Sequence, residues 1–281
     1  MFLFKLSLMI VISGVIYLIA GKSHETGSWW VSRLKTLSEK LTNVHPILLG
    51  VGFVALIFVE LGGILLLMKY FPLAVKGLYI FSTANIAFVV ISLWFDRPNQ
   101  NATWTIVKIF LSCAVGFSWI LFPEWFVYNL VGFICAIGFL QLFPSLKFKS
   151  AMAIGIAIIV YDIIGVYVTG WIILLVKGLS FVPPAVIYIP AAIKVSTSGM
   201  SMIGLGDIII GGMMLLMAKR YDAQVPAFIG YALGGVTLAY VLAVLTGHGV
   251  PATMFIVPAM LLFVWLKAKQ SQNPAWLADQ L

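Results

Sequence analysis

Two aspartates interrupt stretches that are otherwise apolar. Asp162 follows Tyr161 inside one long hydrophobic run, and Asp207 closes Gly204-Leu205-Gly206-Asp207 at the start of the next. An ionisable side chain inside a bilayer costs about 3 kcal/mol on insertion scales, so each marks a candidate functional site. Two carboxylates at hydrogen-bond distance cannot both ionise cheaply; they titrate as a pair that keeps one proton near neutrality. Such a pair supports two kinds of chemistry. The ionised member can take a proton from a water attacking a carbonyl while the protonated member donates to the developing oxyanion. Alternatively, the same acids can bind a cation or relay protons in a channel or transporter. The residues alone do not say which aspartate would be the base.

The elements that must position these groups are apolar runs. With 62% hydrophobic and 9% charged residues among 281, the chain is read as an all-α polytopic membrane protein. Runs near the ~20 residues a bilayer requires predict nine transmembrane helices. They fall near 2–20, 47–67, 78–95, 104–122, 126–143, 150–176, 203–218, 226–246 and 251–267. The chain divides into an N-terminal part, 1–145, holding the first five helices with an amphipathic or loop segment at 21–46, and a C-terminal part, 146–281. The second part holds both aspartates, helices six to nine and a loop at 177–202, all within one integral membrane domain. The first run also has features of a cleaved signal peptide, but its length and the lack of an A-x-A site favour a retained helix.

The net charge of +8 is scattered between the runs and forms no patch for nucleic acid. On one side of the membrane would lie Lys5, Lys69, Lys76, Lys177 and Lys194. On the other would lie Lys22, Arg33, Lys35, Lys40, Arg97, Lys147, Lys149, Lys219, Arg220, Lys267 and Lys269. The positive-inside bias then predicts the N-terminus outside and the C-terminus in the cytoplasm. Cys113 and Cys135 fall in separate runs, which supports neither a disulfide nor a metal site, and no cofactor is implied.

Depth brings the two aspartates together. At ~1.5 Å rise per residue, Asp162 lies about 20 Å from Lys149 and Asp207 about 18 Å from Lys219. Both lysines share one predicted side and the sixth and seventh helices run oppositely, so the carboxylates come out level. Gly165, Gly204, Gly206, Gly211 and Gly212 would let the helices approach closely. Glu60 is the other deep acid, read as interhelical polar glue or a tuner of the pair. Lys108 is expected to snorkel to the interface, and Tyr221-Asp222, beside Lys219-Arg220, is expected to be solvated. The segment 181–196, with Val186-Ile187-Tyr188-Ile189, offers either an edge for strand pairing with an unwound peptide or an ordinary loop.

The motifs themselves carry a resemblance. Tyr161-Asp162 on the sixth of nine segments and Gly204-Leu205-Gly206-Asp207 opening the seventh resemble the YD and GxGD motifs of the presenilin and signal peptide peptidase family. That family also has a Pro-Ala-Leu motif opening its ninth helix. Pro251-Ala252-Thr253 stands at that place here, with Thr253 where Leu is expected and with a second Pro-Ala at Pro258-Ala259. Pro226-Ala227-Phe228 competes for the motif but opens the eighth helix.

The resemblance implies a presenilin-like fold and an intramembrane aspartic endopeptidase. Asp162 and Asp207 would be catalytic, Tyr161, Gly204, Leu205 and Gly206 would support them, and Pro251, Ala252 and Thr253 would contact substrate. Substrates would be transmembrane helices or signal peptides, of type II orientation by the predicted topology. The lipid bilayer is the setting, the cell membrane if the source is microbial. No obligatory partner subunit is expected, and self-association stays open. The chief rival, a cation or proton-coupled channel or transporter, would be expected to show internal repeats, and none is visible. A prepilin-peptidase-like enzyme also carries a GxGD motif, but nine spans and Pro251-Ala252 argue against it.

Overall fold

The structure, a computed structural model, describes residues 44–95, 102–142, 146–170, 186–189, 201–246 and 250–279. The predicted first helix and residues 21–43 of the segment at 21–46 lie outside these residues. Each of the other predicted segments coincides with a helix: α1 (Pro46–Tyr70), α2 (Pro72–Phe95), α3 (Ala102–Leu121), α4 (Trp125–Leu142), α5 (Phe148–Asp162), α6 (Leu205–Lys219), α7 (Gln224–Thr246) and α8 (Thr253–Ser271). A short α9 (Pro274–Ala278) follows. Among the described residues, six helices are long and apolar enough to cross a membrane, and Trp125–Gln141 is a shorter apolar one. With large side chains such as Val59 and Phe110 turned outward, this is an integral membrane protein.

One short strand pair accompanies the helices. Val186–Ile189 (β1) and Ser201–Gly204 (β2) pair antiparallel, Val186 opposite Gly204 and Ile189 opposite Ser201. The strand β2 runs straight into α6, so the Gly204-to-Asp207 stretch is a strand-to-helix junction.

The helix α6 lies at the centre. It is apolar all round, and Ile208, Met213, Met214, Met217 and Ala218 are essentially closed to solvent, as expected of a helix surrounded by others. Its neighbours are α4, α5, α7 and α8. Gly211 and Gly212 make room for them, since a Cβ at Gly211 would fall 2.4 Å from the Tyr231 ring and one at Gly212 2.6 Å from Leu140.

Two helices change pitch. After Asp162, α5 continues as a π-helix over Ile163–Val168, and the middle of α7 is a π-helix over Gly230–Thr237. Each such stretch closes on a threonine whose hydroxyl reaches back five residues: Thr169 to the Ile164 carbonyl at 2.9 Å and Thr237 to that of Ala232 at 2.6 Å. Side-chain insertion of this kind stabilises a wider turn. Within the predicted sixth segment, 150–176, the helical geometry ends at Val168, and 171–176 lie outside the described residues. Gly170 follows with φ +64, the left-handed conformation in which helices commonly end.

Two readings are corrected. Lys108 does not snorkel: it is 6% exposed, with its ammonium 5.9 Å from the centre of the Phe88 ring. Tyr221 is buried rather than solvated. Its hydroxyl donates to Asp279 at 2.5 Å and accepts from the Phe148 N–H at 2.8 Å, while Arg220 grips Asp279 through two bonds of 3.1 Å. Burial, and the proton committed to Asp279, push the Tyr221 phenol above its ordinary value of 10.0. Asn273 caps α9 and bonds Asp222, and Trp276 packs edge-on against Phe148 and Tyr221. This clasp joins the end of α6, the start of α5 and the C-terminal segment.

Candidate active site

Asp207 owes its position to helix termini. Gly204, in an extended conformation, is the N-cap of α6, which makes Asp207 the third helical residue. A helix leaves its first N–H groups unpaired, and a side chain at the third position can reach back to the N-cap N–H. The Asp207 carboxylate does this, bonding the Gly204 backbone. It also bonds the backbone of Thr253, the first residue of α8, whose N–H is likewise unpaired by its own helix. The amino ends of two helices therefore converge on one carboxylate, where both helix dipoles favour negative charge.

Asp162 approaches from the opposite direction. It closes the α-helical stretch of α5, at the junction with the π-helix. Its Oδ2 accepts a hydrogen bond from the Thr253 hydroxyl, and it lies near enough to Asp207 for the two carboxyl groups to interact. Both acids are partly closed off, and Thr253 between them is 3% exposed. The Tyr161 ring lies edge-on to Phe58 of α1 at 5.7 Å, a contact that ties α5 to α1.

The two motif glycines differ in what they do. A Cβ at Gly204 would stand 3.1 Å from Asp207 Oδ2, so glycine there leaves space for the carboxylate. A Cβ at Gly206 would meet nothing within 4 Å, and that residue opens onto an unfilled side of the junction. Leu205 is buried and seats the first turn of α6 in the core.

Of the three residues read as substrate-contacting, Pro251 is half-buried while Ala252 and Thr253 are buried. Thr253 faces the two aspartates with both its backbone and its side chain. Glu60 falls within α1, and its side chain lies outside what the structure describes. Cys113 and Cys135 are free thiols. Among the described residues no group of three or more His, Cys, Asp or Glu side chains could hold a metal ion.

This arrangement of paired acids on α5 and α6, closed by the amino end of α8, is accompanied by a match in sequence. The family model described as "Signal peptide peptidase" matches residues 1–274. The chain belongs to the signal peptide peptidase family. Among family members it is similar to signal peptide peptidase-like 2A of Homo sapiens, 27% identical over 186 residues, which is 55% of this chain and 36% of that protein. It is also similar to signal peptide peptidase of Mus musculus, 26% identical over 179 residues, 59% of this chain and 46% of that one. The matches thus span less than half the length of these relatives. A solved structure of a presenilin family intramembrane aspartate protease shares the fold, with a TM-score of 0.57 over 95% of both chains at 16% identity.

Sequence reasoning found both acids of this signal peptide peptidase family member through their cost in an apolar run. It did not find the side-chain role of Thr253. The available signal was a hydroxyl at a helix start within a segment otherwise apolar.

Proposed function

We propose that the chain is an intramembrane aspartic endopeptidase that hydrolyses peptide bonds within transmembrane helices or signal peptides, with Asp162 and Asp207 as its acid–base pair. The observation that carries this reading is the convergence of the two carboxylates at the amino end of α8. One carboxylate takes a proton from a water whose oxygen adds to the scissile carbonyl carbon. The other gives its proton to the developing oxyanion. Collapse of the tetrahedral species breaks the C–N bond: the leaving amine takes the proton that the first carboxylate drew from water, and a hydroxyl proton returns to the second carboxylate, which restores the pair. The closed apolar surroundings strengthen each of these interactions relative to water.

A helical substrate must unwind locally before such an attack. The β1–β2 pair next to Gly204 has outer strand edges that pair with no other strand among the described residues, to which an extended peptide can add, and the open side of Gly206 admits its backbone. Pro251, lacking an N–H and fixed in φ, keeps the entry to α8 irregular on the same side. Nine spans with the N-terminus outside and the C-terminus cytoplasmic would favour substrates of type II orientation. Residues 1–145 act as scaffold and 146–281 carry the chemistry. The protein works without an obligatory partner subunit, in the cell membrane if it is microbial.

The reading is tested by photolabelling with a hydroxyethylene isostere, whose hydroxyl sits between two carboxylates as the tetrahedral intermediate would. Wild-type protein is expected to be labelled, with competition by unlabelled isostere, and its liposomes to hold Na⁺ and proton gradients. Dissipation of either gradient without labelling would favour the transporter chemistry instead.

A further inference from the structure

Thr253 departs from the leucine expected at its place in the motif, and its environment accounts for the exchange. As the first residue of α8 it has no preceding helical turn whose carbonyl could take its hydroxyl, the usual local partner of a helical threonine. It is nevertheless 3% exposed, in a position where an unpaired hydroxyl would be costly. The acceptor is Asp162, 91 residues earlier in sequence. The same residue's backbone meets Asp207. Thr253 thus ties α5 and α6 to the start of α8 with two bonds from one residue.

We propose that Thr253 is a positioning residue for the acid–base pair, its hydroxyl fixing the orientation of the Asp162 carboxylate against Asp207. This rests on the reading of the two aspartates as catalytic. Asp162 sits where α5 changes from α to π geometry and has two rotatable side-chain torsions. A carboxylate free to turn would spend much of its time out of reach of the water it shares with Asp207, and acid–base groups act only within hydrogen-bond reach. A hydroxyl presented from a third helix removes that freedom. Thr253 is 3% exposed, and a leucine in its place would supply no donor. Thr253 therefore acts on the chemistry through Asp162 rather than by touching substrate.

The test compares Thr253→Val, Thr253→Ser and Thr253→Ala in proteoliposomes, with a doubly labelled synthetic single-span peptide as substrate. Val removes the hydroxyl at nearly constant shape, and Ser and Ala differ by one oxygen. Loss of a hydrogen bond to a carboxylate is expected to lower kcat about 10- to 100-fold in the Val variant. KM is expected to stay within about twofold, the signature of an interaction that serves the chemical step. The Ser variant is expected to keep kcat within about threefold of wild type, and the Ala variant to fall with Val. Thermal unfolding in detergent shows whether Val is folded, and if it is not, the Ser–Ala pair decides. A Val variant with unchanged kcat, a Ser variant as impaired as Ala, or a loss confined to KM would each overturn the proposal. Asp207→Asn runs alongside: if it is dead while Thr253→Val is fully active, only the Thr253 role falls. If Asp207→Asn cleaves normally, the acid–base reading falls and this role with it.

Discussion

Asp207→Asn is expected to reduce the cleavage rate of a single-span peptide by about 10³-fold or more, the upper range for loss of a general acid or base. The carboxamide keeps the shape of the side chain and can still accept from the Gly204 and Thr253 backbones. It cannot take up or release a proton. Asp162→Asn is expected to do the same, and the double variant to be no worse than either single one, because the two act as a unit. Neither change should lower the unfolding temperature, since each removes an ionisable group from a partly closed apolar setting. Initial rates at saturating peptide, with unfolding curves on the same samples, check this. A loss of only about tenfold in either variant would be too small for a required proton carrier.

The second large effect is expected on the scaffold, at the contact of α7 with α8. Over its π-helical stretch α7 presents Gly230, Gly234 and Gly235 to Ile256, Ala259 and Met260 of α8. A Cβ at Gly235 would come within 2.7 Å of the Ile256 Cα, and one at Gly230 within 2.9 Å of the Ala259 carbonyl oxygen. Backbone cannot swing aside as a side chain can, so α8 itself must shift. Gly235→Val is expected to destabilise the protein by about 1–3 kcal/mol, typical of overpacking. Cleavage should fall as well, because α8 carries the Thr253 N–H and hydroxyl that meet the two acids. Gly155→Ala should be milder, since its Cβ would meet the methyl ends of Val257 and Met214. Gly62→Ala, facing open space, should be silent. Unfolding temperature and cleavage rate measured on the three variants check the ranking, and a Gly235→Val protein as stable as Gly62→Ala would refute the close contact.

The parts of this protein that were legible in its sequence are those a bilayer enforces. Apolar runs must form helices because no water is present to satisfy the backbone, which is why each segment between 47 and 267 coincides with a helix over most of its described residues. Acids within such runs are costly enough to stand out, which exposed Asp162 and Asp207. Equal depth, counted from Lys149 and Lys219, was enough to pair them.

What was not legible depends on contacts between residues remote in sequence. Thr253 stands in the sequence only as a departure from the expected leucine, because Asp162, which takes its hydroxyl, is 91 residues away. Tyr221 beside Lys219-Arg220 looked like a solvated edge, and only its partner Asp279, 58 residues on, shows otherwise. Lys108 follows the same logic, because the Phe88 ring that receives it lies on another helix. The π-helical stretches were invisible because hydropathy does not distinguish one helical pitch from another. Val186-Ile187-Tyr188-Ile189 is legible as a strand edge, but its partner within the chain, Ser201–Gly204, is not, because four residues leading into a helix carry too little pattern to mark a strand.

The most direct test of the central claim is a map of what the purified protein does to a membrane-spanning peptide in proteoliposomes, read by mass spectrometry. The expected result is two complementary fragments that meet at a bond inside the apolar span, formed by wild type and absent with Asp162→Asn and Asp207→Asn. An intact peptide, cuts confined to the soluble flanks, or fragments that persist in either Asn variant would contradict it.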